Sequence, residues 1–387
     1  MLLRTADFRR RARARLPRFV FDYVDGGAED EACLARNRQA LDELRLVPHV
    51  MRDTREVDLS VEVFGRRWSM PAGIAPVGFA GLVRPAGDVL LAKAAAAQGV
   101  PFVLSTASNA RLEAVRAAAP QAVQWMQLYV MGDRSIAEQI VRRAREARFD
   151  ALVLTVDVAV SGMRERDMRN GFRLPFRPGL RTAIDLAAHP AWSIAAALAG
   201  TPGFANLVEA PSTPASPQVQ AALLARAMDR GLTWESLAWL RRLWDGPLLV
   251  KGVLGPGDAA AAVAHGADGL VVSNHGGRQL DVVPAAISAL PGVIDAVRGR
   301  IPVFVDSGFR RGSDVAKALA LGATAAFMGR LPIWGLAAGG QAGVEQALAL
   351  VKAEFERTLI LLGVPHADAL AHGGLVFDER RTGAADE

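Results

Sequence analysis

Short apolar runs rich in β-branched residues recur along this chain, and stretches of helical spacing separate them. The runs fall at 71–77, 101–105, 123–129, 151–157, 247–252, 269–274, 302–307 and 325–329, eight in all. Helical patterns at 88–98, 135–147, 256–265 and 313–321 lie between members of the series. Strands that are apolar throughout suit a parallel sheet covered on both faces, with helices as crossovers. Eight such units in order predict a closed (β/α)8 TIM barrel in an α/β chain. A doubly wound sheet would favour fewer strands and an early Gly-x-Gly-x-x-Gly turn, and none follows an early strand.

The spacing breaks once. A long insertion, 170–246, separates the fourth strand from the fifth, within what reads as a single domain over 1–387. It contains a Pro/Ala-rich stretch at 202–217 and helical patterns at 219–230 and 234–243. Its segment 183–207 is apolar, with Trp192 and little charge. Two readings are open for it: a cover over the active site, or a docking element for a membrane surface. No uninterrupted apolar stretch approaches the ~18 residues of a spanning helix.

The net charge is +5, and much of the excess sits in an N-terminal run of Arg9, Arg10, Arg11, Arg13, Arg15 and Arg18. A solvated helix face is the favoured reading, ahead of attraction to anionic lipid. No nucleic-acid partner is expected. No apolar core of about 7–15 residues follows the run, so it does not read as a secretory signal. The lone Cys33 excludes a disulfide framework and a multi-cysteine metal site, and no metal is expected. The expected location is the cytoplasm, with peripheral contact at the inner face of the cell membrane as the alternative.

In a barrel, chemistry gathers at the C-terminal ends of the strands. Polar residues recur there: Ser105-Thr106, Gln127 with Tyr129, Thr155 with Asp157, and Lys251. The sixth strand runs into Ser273-Asn274-His275-Gly276-Gly277-Arg278, the seventh into Asp306-Ser307-Gly308-Phe309-Arg310, and the eighth into Gly329-Arg330. Each alone has a bland account as a cap, a snorkelling lysine or a solvated loop histidine. Together they read as a site, because buried polar groups are costly unless partnered. The Gly308 and Gly329 turns with Arg310 and Arg330 suit a phosphate. His275 suits a proton acceptor oriented by Asp157, and Arg164 and Arg278 suit a carboxylate. A non-redox phosphate-binding barrel, an isomerase or aldolase, is the alternative of another class. It leaves Lys251, Tyr129 and the His275–Arg278 loop without a joint purpose.

The nonapeptide Ser273-Asn274-His275-Gly276-Gly277-Arg278-Gln279-Leu280-Asp281 is the most specific element. With it, the chain from about residue 8 to about residue 363 resembles the FMN-dependent 2-hydroxy acid dehydrogenase/oxidase family, nearest its mandelate and L-lactate dehydrogenase branches. The resemblance implies oxidation of an L-2-hydroxy acid to the 2-oxo acid. It implies His275 as base, Asp157 as its partner and Tyr129 near the substrate hydroxyl. Tyr23, Arg164 and Arg278 match the carboxylate contacts. Ala75, Pro76, Val77, Ser105, Gln127, Thr155, Lys251 and Ser273 match contacts to the flavin ring. Asp306, Gly308, Arg310, Gly329 and Arg330 match those to the ribityl chain and phosphate. Gly78 stands where oxidases tend to carry alanine, which implies a quinone or another carrier as acceptor; an O2-using oxidase is the alternative. Ala107 stands where glycolate oxidase has tryptophan, which implies room for a bulky substrate. A homotetramer is the assembly the resemblance implies. One departure is Leu331-Pro332 after Gly329-Arg330, where many members have proline at once.

Overall fold

The computed structural model describes residues 2–170, 179–200, 203–207, 228–372 and 376–378. Eight parallel strands close into a barrel in chain order. They are β1 (Ala72–Ile74), β2 (Phe102–Leu104), β3 (Gln124–Leu128), β4 (Ala151–Thr155), β5 (Leu248–Val253), β6 (Gly269–Val272), β7 (Val303–Val305) and β8 (Ala325–Met328). Helices at Gly87–Gln98, Arg134–Glu146, Pro256–Ala264 and Gly312–Ala320 are crossovers, as the spacing predicts.

All but β5 are shorter than the apolar runs. His275 and Ser307 have φ of +59° and +75°. That left-handed backbone cannot continue a strand. At β5 the ladder is irregular between Lys251 and Val253. The residue between them, Gly252, has φ +108°, and a Cβ there would lie 2.7 Å from the Cβ of Asp157. Glycine thus lets the β4 and β5 ends approach each other at the mouth.

The period-two alternation of the strands sorts their side chains into two cores. Leu104, Met126, Leu152, Val250 and Val272 point outward into the layer shared with the helices. Val103, Trp125, Val153, Leu249, Val271, Phe304 and Phe327 point inward. A hairpin, Val61–Val63 with Arg66–Trp68, carries Trp68 into the lower end of the barrel. The Trp68 ring centroid lies 5.6 Å from that of Trp125 and 6.2 Å from that of Phe304. This aromatic floor closes the barrel below the site.

Three helices precede the barrel: α1 (Thr5–Arg15), α2 (Arg18–Asp25) and α3 (Ala32–Glu43). On α1, Phe8 and Ala12 are buried, while Arg10, Arg11, Arg13 and Arg15 are exposed. Arg9 instead makes a two-pronged pair with Asp25 at 2.7 Å. In the insertion, helices Leu180–Ala188 and Pro190–Ala199 expose Leu180, Ile184, Ile194 and Leu198. The expected helix at 234–243 is present as Trp234–Leu243. The 219–230 pattern lies largely outside the described residues, as does most of the 202–217 stretch. Among the described residues, no helix is long and apolar enough to cross a membrane.

Candidate active site

Two residues beyond six of the seven inward apolar side chains, the same face of the strand turns polar, and beyond Phe327 it meets Gly329. Val103 is followed by Ser105, Trp125 by Gln127, Val153 by Thr155, Leu249 by Lys251, Val271 by Ser273 and Phe304 by Asp306. All six polar residues are buried. They satisfy one another around the ring. Ser105 Oγ donates to Gln127 Oε1 (3.2 Å), and Gln127 Nε2 donates to Thr155 Oγ1 (3.1 Å). Lys251 Nζ donates to Ser273 Oγ (2.9 Å) and pairs with Asp306 at 3.3 Å. Burial pulls the lysine pKa down, but Asp306 and Asp157 outweigh it and hold the ammonium above its usual value. Ser105, Lys251 and Asp306 reach the cavity above the ring; Gln127, Thr155 and Ser273 stand behind that wall.

His275 stands above Lys251 on the β6 loop. Its Nδ1 is 2.9 Å from Asp157 Oδ1, and its Nε2 is 3.3 Å from the Tyr129 hydroxyl. Burial would raise the Asp157 pKa, yet His275 and Lys251 outweigh it and the carboxyl stays below its usual value. An ionised Asp157 accepts from Nδ1–H and leaves Nε2 as the basic nitrogen. Burial also presses the imidazole pKa below its ordinary value, against the pull of Asp157. Lys251 and Arg164 add to the lowering. His275 is therefore neutral at neutral pH. The Tyr129 phenol is pushed up, first by burial and then by Asp157, and remains a donor.

Facing His275 are cations that carboxylates approach but do not directly pair with. Arg278 Nη1 donates to the Gly26 carbonyl (2.8 Å), and its guanidinium lies 5.1 Å from the Tyr23 ring centre. Burial, then repulsion from Arg164, lowers the Arg278 pKa to about 10. Arg164 Nε is buried with no hydrogen-bond partner. The Tyr23 hydroxyl donates to the Gly78 carbonyl (3.3 Å). Beside Arg278, Arg330 donates to the carbonyls of Gly276 (3.0 Å) and of the same Gly26 (2.8 Å), and its Nε is unpartnered. Burial, then Arg278 and Arg310, lower its pKa to about 9. Arg310 sits 5.3 Å from the Trp334 ring centre. Among the described residues none of these four guanidiniums is paired with a carboxylate. Desolvated charge in that state calls for anions from outside the chain. Gly308, with φ +93°, passes close to Asn37 two residues before Arg310. The long helix begins at Arg330, so Pro332 falls in its first turn, where no intrahelical N–H is lost.

The cavity thus gathers Tyr23, Tyr129, Arg164, His275 and Arg278 with Ala75, Pro76, Val77, Gly308, Arg310, Gly329 and Arg330. Among the wall residues that sequence reasoning missed are Phe79, Phe204 and Met228. The last two belong to the insertion. It also missed Arg166, which pairs with Asp25 (3.3 Å) and with Glu31. Arg166 so ties the loop of Arg164 to the helix that carries Tyr23. The motif Arg164-Glu165-Arg166-Asp167 was visible, but partners more than a hundred residues away were not.

A family model for FMN-dependent dehydrogenases matches residues 12–376. (S)-Mandelate dehydrogenase of Pseudomonas putida is 45% identical, over 96% of this chain and 93% of its own length. An L-lactate dehydrogenase of Xanthomonas campestris pv. campestris (strain B100) is 44% identical, over 92% of each. The crystal structure of the monotopic membrane protein (S)-mandelate dehydrogenase superposes with a TM-score of 0.93 at 44% identity, covering 98% of this chain and all of that one. A mandelate oxidase structure superposes with a TM-score of 0.82 at 38% identity, covering 96% of this chain and 97% of that one. With a barrel, a mouth and relatives of this kind, the chain belongs to the FMN-dependent dehydrogenase family.

Proposed function

We propose that this enzyme oxidises an L-2-hydroxy acid with a bulky, aromatic side group to the 2-oxo acid and passes the electrons to a quinone or another carrier. The observation that carries the reading is the Asp157–His275–Tyr129 chain, at 2.9 and 3.3 Å, facing Arg164 and Arg278. The residues fit FMN on the chain's own evidence. Arg310 and Arg330 are half-buried, desolvated cations in no ion pair, which suits an anion such as a phosphate, and Arg330 Nε is orphaned. With Asp306, Gly308 and Gly329 they would hold the ribityl phosphate. Ala75, Pro76, Val77, Ser105 and Lys251 would hold the ring, with Gln127, Thr155 and Ser273 bracing that wall from behind. Bound FMN supplies a two-electron acceptor.

Arg164, Arg278 and Tyr23 clamp the substrate carboxylate and fix the α-carbon. Tyr129 donates toward the substrate hydroxyl. His275 takes a substrate proton at Nε2, from either the α-carbon or the hydroxyl, and Asp157 stabilises the imidazolium so formed. Lys251, held cationic, offers positive charge to electron density arriving at the ring. Gly78 supports a non-oxygen acceptor, and Ala107 supports room for a large side group. The exposed apolar residues on helices Leu180–Ala188 and Pro190–Ala199, and the monotopic relative, support peripheral membrane attachment through the 170–246 insertion of a single catalytic domain. Attachment at the cytoplasmic face of the cell membrane and assembly as a homotetramer complete the reading.

The test is a visible spectrum, then anaerobic addition of L-mandelate, L-lactate and glycolate, then air. The expected result is a flavin spectrum that L-mandelate bleaches best and that recovers slowly in air. Fast recovery in air would make the enzyme an oxidase. A protein that cannot take up FMN would contradict the reading.

A further inference from the structure

Apart from the two main cores, a third apolar cluster stands at the mouth of the cavity: Ala107 and Phe204, with Phe79 and Leu207 packed against it. It gives aromatic surface to a site that also holds arginines, a histidine and a lysine. Its rings form a row. The Tyr23 and Phe79 rings are edge to face, 5.9 Å apart at 84°. The Phe79 and Phe204 rings are 4.5 Å apart at 62°. The row starts at a residue of the carboxylate clamp and runs outward to the insertion. Resting on the proposed aryl 2-hydroxy acid oxidation, we infer that Phe204 selects substrates with an aromatic side group, its ring and that of Phe79 forming the wall on which that group packs.

Phe204 is held in place by neighbours on both sides. Asn109 Nδ2 donates to the Gly203 carbonyl (2.8 Å), and Ala205 N donates to the Ser108 carbonyl (3.1 Å). Asn206 Nδ2 donates to the Ala110 carbonyl (3.0 Å), and its Oδ1 accepts from Leu112 N (2.9 Å). Asn109 is itself fixed, since its N–H donates to buried Asp88 and its Oδ1 accepts from Gly81 N (2.9 Å). The turn carrying Phe204 is thereby fastened to the loop after β2, which carries Ala107. An apolar ring fixed in this way offers its edge or face to another ring at no ordering cost, which favours aromatic over small aliphatic side groups. The small side chain of Ala107 leaves the space beside it open.

Phe204→Ala and Phe204→Leu are compared with wild type for kcat/KM on L-mandelate and on L-lactate. The expected result is a loss of about 10–100-fold on L-mandelate for Phe204→Ala, with L-lactate changed by less than about threefold. Phe204→Leu keeps apolar volume without the ring, and its mandelate-to-lactate ratio falls about fivefold. If Phe204→Ala does not purify with flavin, the leucine variant carries the test. Equal changes on both substrates in a mandelate-preferring wild type overturn the role of Phe204 and leave the proposed reaction standing. A wild type that prefers L-lactate overturns the mandelate reading and the inference with it.

Discussion

The floor and the mouth of the barrel are built on the same strands, two residues apart, yet obey opposite rules. At the floor, Trp68, Trp125, Phe304 and Phe327 are buried among one another and the strands' inward apolar residues. At the mouth, Gln127, Lys251 and Asp306 are buried as polar or charged groups, and Arg278 and Arg330 are half-buried and desolvated. The floor supplies stability through burial and ring contacts. The mouth accepts desolvated charge that the chain alone does not neutralise. A region that lowers the free energy of folding thus supports one held ready for ligands.

The contrast is sharpest if substitutions at the two ends separate stability from activity. Trp125→Ala, at the floor, should lower unfolding free energy by about 3–5 kcal/mol in denaturant titrations, with turnover per folded molecule nearly retained. A loss below about 1 kcal/mol would break the comparison. Arg278→Met, at the mouth, should lower kcat/KM by about 10²–10³-fold, mostly through KM. Stability should change by less than about 1 kcal/mol, because a lost hydrogen bond is offset by removal of an unpaired desolvated cation. A large stability loss there would mean that the mouth, too, holds the fold together.

Asp157→Asn should lower kcat by about 10²-fold. It should also move the pH profile. His275 must be neutral to accept a proton, so activity falls as pH drops through its depressed pKa, below 6.5. Asp157 raises that pKa, so its neutralisation lowers it further and shifts the acid limb to lower pH. An acid limb that moves upward, or stays fixed, would rule out the pairing as the source of the pH dependence.

The smallest effect concerns Asp88, a buried carboxyl outside both regions. Burial lifts its pKa to about 6, against hydrogen bonds from Ser108 and Asn109. A raised carboxyl pKa contributes stability fully below the unfolded value near 3.8, and that contribution is lost as pH rises through about 6. Between pH 4 and pH 7 the wild type should therefore lose about 2–4 °C of melting temperature relative to Asp88→Asn. Parallel melting curves across that range would show Asp88 to be unperturbed.

Much of this was legible in the chain because one period serves both ends. A strand such as Ala-Leu-Val-Leu-Thr at Ala151–Thr155 shows its own register: Val153 faces in, and Thr155 two residues later marks the mouth. The His275 loop was legible because its residues are contiguous. Strand ends were read too long, since apolar composition does not reveal where φ turns positive at His275 and Ser307. Trp68 gave no sign of closing the floor, because its partners Trp125, Phe304 and Phe327 are distant in sequence. Phe204 was hidden for the same reason. It lies in the Pro/Ala-rich insertion, and contacts distant in sequence, to Ser108, Asn109, Ala110 and Leu112, bring its turn to the cavity.

The central claim is that the imidazole oriented by Asp157 takes the substrate proton at the barrel mouth. Anaerobic mixing of L-mandelate with wild type and with His275→Gln, followed at the flavin absorbance band, tests it most directly. The account predicts bound flavin in both proteins, rapid bleaching in the wild type, and a rate lower by about 10⁴-fold in the variant. Bleaching of the variant at a rate near that of the wild type would contradict it.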